Sequence, residues 1–137
     1  MKLLAIPLAA AAFGQAPAWI QRAVPPPIVT WRAADVLGTP VVEGIVVDRD
    51  LDALTVNVVD SRFDPPRIVR QRDLAGGRVR WLRAGRRDRL ARNEIAVDVV
   101  GRGGERAYLL RVLARRFTLA LVRSVHGAAL RPSVFSH

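Results

Sequence analysis

Residues 94–114 read EIAVDVVGRGGERAYLLRVLA, two runs of alternating apolar character separated by GRGG. Along an extended chain successive side chains point to opposite faces, so Ile95, Val97 and Val99 share one side. Gly101, Gly103 and Gly104, three of the four turn residues, allow the positive φ that tight hairpin loops demand. The spacing therefore predicts a hairpin of 94–100 with 105–114, and with it an antiparallel sheet.

The same signature recurs along the chain. VVEGIVVD (41–48) and LTVNVVD (54–60) flank the polar turn DRDLDA, with Leu54, Val56 and Val58 on one face. RFDPPRIVRQ sets Pro65 and Pro66 before a short strand around Arg67 to Gln71. In RVRWLR (78–83) the alternation puts Val79 and Trp81 on one side and Arg78 and Arg80 on the other. FTLALVRSV (117–125) sets Phe117, Leu119 and Leu121 against Thr118, Ala120 and Val122. RAGRRDRLARN (83–93) reads as a charged connection with a short helix. About six or seven short strands with no long helix predict an all-β fold, a small sandwich or distorted barrel. No internal repeat is visible.

The N-terminus reads differently. Lys2, the apolar run Leu3 to Phe13 and the small residues Ala16-Pro17-Ala18 have the form of an export signal occupying residues 1–18. Pro17 beside the scissile bond disfavours cleavage after Ala16, so cleavage after Ala18 is expected, leaving Trp19 first. The run is shorter than the about 20 residues a membrane helix needs, and no later run qualifies, so the expectation is an exported, periplasmic or secreted protein that is not integral to a membrane. Residues 19–40 read as a proline-rich leader: Pro25, Pro26 and Pro27 favour an extended conformation, and Thr30 is positioned to cap one short helical turn ended by Gly38 and Pro40. Residues 41–137 then form a single β-rich domain. The chain holds no cysteine, so no disulfide supports it.

The formal net charge is +10, from 22 Lys and Arg against 12 Asp and Glu. Lys2 is the sole lysine; the other basic residues are arginines, whose fork-shaped guanidinium suits phosphate and carboxylate. Arg78, Arg80, Arg83, Arg86, Arg87, Arg89 and Arg92 crowd one stretch, offset there by Asp88, and form the candidate binding patch for an anionic envelope surface, glycan or lipid. A solvated face, or a genome rich in arginine codons, explains the same run. Trp81 is the one aromatic among these arginines, so nucleic acid is not the expected partner.

Catalytic and metal chemistry find little support. Asp48, Asp50 and Asp52 are spaced as in a calcium loop, but Ala53 and Val59 stand where glycine and a bidentate Glu belong. His126 and His137 with no thiol do not make a zinc site, and no cofactor is expected. Ser124 and His126, two apart on a strand, can share a face. They lack a nucleophile elbow and a nearby carboxylate, Asp98 being the one distant candidate, so His126 reads as a histidine at a turn edge and no enzyme is expected.

The order of the 94–114 hairpin, the strand FTLALVRSV and the segment HGAALRPSVF resembles the periplasmic chaperones that assist assembly of the flagellar P-ring. In that family a β-hairpin region leads into an SAF-type segment, roughly V-x-A-R-x-I-x-x-G-x-x-L-x-x-x-D-V. Val122, Arg123, Val125, Gly127, Leu130 and Pro132 fall onto it, with Val134 and Phe135 at its end. Val134 replaces the usual acidic residue, and the spacing before Gly127 is one residue tighter. The family's SAF domain (a β-clip-like fold) continues for several more strands, so an incomplete SAF-like segment at 117–137 is expected. The resemblance implies a non-enzymatic assembly chaperone with a protein partner, a ring subunit. The alternative is a small basic envelope protein binding anionic glycan or lipid.

Overall fold

The computed structural model describes residues 15–127 and Phe135. They form two four-stranded antiparallel meanders packed face to face, with very little helix and no closed barrel, which is the sandwich form of an all-β fold. The first sheet holds β1 (Ile28–Ala34), β2 (Glu43–Asp50), β3 (Ala53–Asp60) and β4 (Arg67–Leu74), side by side in chain order. The second holds β5 (Arg78–Ala84), β6 (Glu94–Gly101), β7 (Gly104–Arg111) and β8 (Ala120–His126) in the same way. A one-turn-and-a-half helix, α1 (Ala18–Ala23), precedes β1, and a single 3₁₀ turn at Arg86–Asp88 lies in the β5–β6 connection.

Apolar residues at every second position of β2, β3 and β6 fill the space between the sheets: Ile45 and Val47, Leu54, Val56 and Val58, Ile95, Val97 and Val99. Leu82 and Ala84 from β5, Leu110 from β7 and Leu119 complete this inner core. At one margin β1 lies along β5. At the other, the β7–β8 connection crosses to β4, where Gln71 N donates to Phe117 O at 2.8 Å and Leu119 N donates to Gln71 O at 3.1 Å. The guanidinium of Arg72 also donates to Leu119 O at 2.9 Å.

The predicted hairpin 94–100/105–114 is present as β6 and β7. Three expectations change. Residues 28–34 form a strand, not a leader with a helical turn: Thr30 pairs with Val47, and Val36 beyond it is fully buried. Side chains on this segment alternate between the inner core and the outer face, which a capped helical turn would not allow. Second, Val79 and Trp81 do not share a face. The β5–β6 register slips between them, so Val79 packs into the inner core while Trp81 lies on the outer face. Third, Leu119 is fully buried, but Phe117 and Leu121 are exposed, because 117–119 is drawn to β4 before β8 begins.

Each sheet carries a satellite cluster on its outer face. On the first, Ile20 of α1, Val24 just after it and its lead-in Ala16 cover Val46, Val59 and Trp31. Gly44 makes this possible: a Cβ there would stand 2.9 Å from Ile20 Cδ1 and 3.0 Å from the Trp19 ring. On the second, Leu90 and Phe135 cover Ala96, Ala107, Leu109 and Trp81.

The two sheets repeat one plan, which in the sequence leaves only the short shared pattern V-x-W-x-x-A at 29–34 and 79–84. Val29, Trp31 and Ala34 in β1 have the spacing of Val79, Trp81 and Ala84 in β5, and the register slips beside the valine in both strands. β2 and β6 each open on a buried glutamate, Glu43 and Glu94. A second slip follows at Val58/Val59 and again at Leu109/Leu110. Glu43 Oε1 accepts from Val36 N at 2.8 Å and Leu37 N at 3.0 Å, and its Oε2 accepts from the Thr39 hydroxyl at 2.7 Å. Glu94 accepts from Ala91 N at 3.0 Å and pairs with Arg111 at 2.8 Å.

Candidate functional site

β8 carries Ser124 and His126 and three of the SAF-like positions. Among the described residues it is the last strand of its sheet, bonded to β7 on one side. Leu121 and Val122 on this strand, and Phe117 just before it, are 43%, 40% and 54% exposed. A core strand hides such side chains; here Leu121 and Val122 stand on the open edge strand together with Arg123, and Phe117 sits beside β4. The chain reaches that edge through Arg115 and Arg116, both exposed, so the apolar strip is bordered by positive charge. Arg115 takes φ of +59°, a turn that carries the chain out of β7.

Of the SAF-like positions, Val122, Arg123 and Val125 lie within β8 and Gly127 follows it, with φ of +71°. Leu130, Pro132 and Val134 lie outside the described residues. Phe135 is buried on the outer face of the second sheet, and the Arg123 guanidinium sits 5.1 Å from its ring centre.

Ser124 and His126 do share a face, and a third residue stands between them. The Arg106 guanidinium donates to Ser124 Oγ at 3.0 Å through one nitrogen and contacts His126 Nδ1 at 3.3 Å through the other. A guanidinium is only a donor, so in this contact Nδ1 is the accepting atom. Asp98 cannot orient this imidazole, since it points from the opposite face of the second sheet.

Asp98 is the unusual titrating group. It lies opposite Trp81 in the register and diagonal to Glu105, fully buried, with both carboxyl oxygens lacking a hydrogen-bond donor. Burial first, and then the Glu105 carboxyl facing it, together push its pKa from 3.8 up to about 7, against a weaker opposing effect of Arg80. The pair therefore holds a proton near neutrality. Alternation alone places Asp98 on the outer face of β6, but the depth of cover there comes from Trp81 and its neighbours. Asp48, from the calcium-like spacing, is instead spent inside the fold: Asn57 Nδ2 donates to it at 2.6 Å. Its pKa is raised by burial, partly offset by that bond. Among the described residues no three His, Asp or Glu side chains gather in a metal-binding arrangement.

The seven arginines of the 78–92 stretch do not gather into one patch. Arg78 and Arg80 are exposed at the start of β5, and Arg83 lies over the Trp81 ring at 4.8 Å. Arg86, Arg87 and Arg89 are exposed beyond the other end of the strand. At about 3.3 Å per residue the length of β5 separates the two groups by roughly 20 Å. Arg92 turns inward against Gly38, where a Cβ would stand 2.9 Å from its Nη1. Asp88, expected to offset this run, is instead paired at 2.6 Å with Arg32 of the first sheet and accepts from Ala84 N at 2.8 Å.

The fold and this edge define a class, a two-sheet antiparallel sandwich built from two stacked meanders. Compared with known proteins, the chain matches no family model, no curated protein and no solved structure. No helix among the described residues is long and apolar enough to cross a membrane.

Proposed function

We propose that this chain is an exported, non-enzymatic assembly chaperone that holds an extended segment of a protein partner along the edge of β8. The observation that carries the reading is the exposure of Leu121 and Val122 on the edge strand β8. An edge offers a row of free backbone donors and acceptors, and an added strand gains those bonds while its alternate side chains meet the apolar strip. Arg115, Arg116 and Arg123 border the strip, so the favoured segment is apolar with acidic residues. A second copy of this chain is disfavoured as occupant, because each copy carries a net charge of +10. The resemblance of the C-terminal third to P-ring assembly chaperones supplies the partner, a ring subunit held until it assembles.

Export rests on the first eighteen residues. Processing after Ala18 would remove the Pro17 carbonyl that accepts from Ile20 N at 3.0 Å and Gln21 N at 3.1 Å. It would leave α1 held by Ile20 and Trp19 against Gly44. The mass of the protein recovered outside the cytoplasm reports the cleavage site directly.

Capture of a purified P-ring subunit by the immobilised chain, with loss of swimming on deletion of the gene, is the expected result. Normal swimming together with absent capture overturns the reading. Val122→Lys tests the surface itself, since it places a charge on the strip without touching the core.

A further inference from the structure

At the hairpin end of the sandwich three turns converge: Asp50–Ala53 between β2 and β3, Ala75–Gly77 between β4 and β5, and Gly101–Gly104 between β6 and β7. Glycine sets how closely they approach. A Cβ on Gly76 would lie 1.7 Å from Asp52 O, and one on Gly101 would lie 2.9 Å from Gly76 O. Between the sheets behind these turns opens a cleft of about 700 Å³. Arg49 enters it from the first sheet, Arg106, Tyr108 and His126 from the second, and Arg102 from the hairpin turn.

We infer that this cleft binds a phosphomonoester, with Arg49, Arg102 and Arg106 as its anion ligands. The charge balance comes first. Three arginines face one acid, Asp52, and among the described residues none of the three makes an ion pair. Arg49 and Arg106 are partly buried, so water compensates their charge less completely than on the open surface. Both are held by neutral groups: Arg49 donates to Gly77 O at 2.9 Å, and Arg106 to Ser124 Oγ at 3.0 Å. These bonds orient the guanidiniums and leave their charge uncompensated.

Donor capacity points the same way. A guanidinium has five N–H groups; Arg49 commits one of them and Arg106 two, counting the His126 contact. The rest remain for a ligand with several acceptor oxygens. Two net positive charges match a phosphomonoester, which carries about −1.5 to −2 at neutral pH, better than a single carboxylate. The cleft is also much larger than one phosphate group, and Tyr108 and Val99 give it a flat apolar wall for the remainder of the ester.

Calorimetric titration at fixed ionic strength tests this with glycerol phosphate, inorganic phosphate, and vesicles containing phosphatidic acid. Glycerol phosphate is expected to bind saturably, at least tenfold more weakly to Arg49→Gln and Arg106→Gln, and unchanged to an Arg86→Gln/Arg87→Gln double variant. Arg102→Gln, in an exposed turn, is expected to weaken binding several-fold with an unchanged melting temperature, which separates lost ligation from lost folding. Binding only to the vesicles, still lost in Arg106→Gln, supports the site and assigns the phosphate to a lipid headgroup. Absence of saturable binding to all three probes, equal loss in the Arg86/Arg87 variant, or equal competition by acetate overturns the inference.

Discussion

Asp98 and Glu105 face each other diagonally across the β6–β7 hairpin, and no donor reaches either oxygen of Asp98. Two carboxyl groups in that position cannot both ionise without placing like charges together in a region that water does not reach. Asp98 is therefore the one whose pKa climbs to about 7. A raised pKa means that the folded chain holds this proton more tightly than the unfolded chain does. Its stabilising contribution is complete below the ordinary value of 3.8 and is lost as pH rises through about 7.

Asp98→Asn removes this dependence. At about pH 8 the variant is expected to be more stable than the parent by on the order of a few kcal/mol, and near pH 4 the two converge. Urea unfolding at several pH values measures the difference. Parallel curves for the two proteins would contradict the raised pKa of Asp98.

The split between Leu119 and Leu121 gives a second test. Leu119 is fully buried and Leu121 is exposed, although both stand in the same alternating run. Leu119→Ala is expected to cost about 2–5 kcal/mol. Leu121→Ala should change stability by less than about 0.5 kcal/mol while weakening partner capture. Similar losses of stability at both positions would mean that the strip on β8 is covered.

Glu43 terminates the loop before β2 by receiving two backbone N–H groups and a hydroxyl. Glu43→Ala strands the buried Val36 amide and the partly buried Leu37 amide at a cost of about 2–4 kcal/mol. Glu43→Gln keeps one carbonyl oxygen for them and should cost less than half as much. Thermal unfolding of the two variants, side by side, checks the ordering.

Gly76→Ala places a methyl group against the backbone carbonyl of Asp52, which no rotamer change relieves. Its φ lies outside the left-handed region, so contact between turns is the reason for glycine. A loss of about 1–3 kcal/mol is expected from this overpacking. Gly103→Ala, with no atom within 4 Å of the new methyl, serves as the comparison and should be nearly neutral.

Much of this was legible in the residues. Alternation at 54–58 and 95–99 places the inner faces of β3 and β6, and GRGG marks the hairpin between β6 and β7. The errors fall where the period breaks. Trp81 stands on the face opposite to its expected one because it follows a register slip, and one extra residue inverts every side chain beyond it. Leu121 is exposed because β8 begins as an edge strand only after 117–119 has been drawn to β4. β1 was hidden because Trp31-Arg32-Ala33-Ala34 has no β-branched alternation of its own. It becomes a strand because β2 offers it an edge and α1 covers Trp31.

By itself, then, the amino-acid sequence determined the all-β class, the main hairpins and the strongly positive charge, since these depend on local periodicity, turn chemistry and composition. The tertiary structure alone decided which charges meet. Arg49 and Arg106 reach one cleft from different sheets, the arginines of 78–92 separate to opposite ends of a strand, and Asp98 meets Glu105 under cover of Trp81. The reason is geometric: neighbours along a strand diverge by about 3.3 Å per residue, whereas stacked sheets bring residues dozens of positions apart to within side-chain reach.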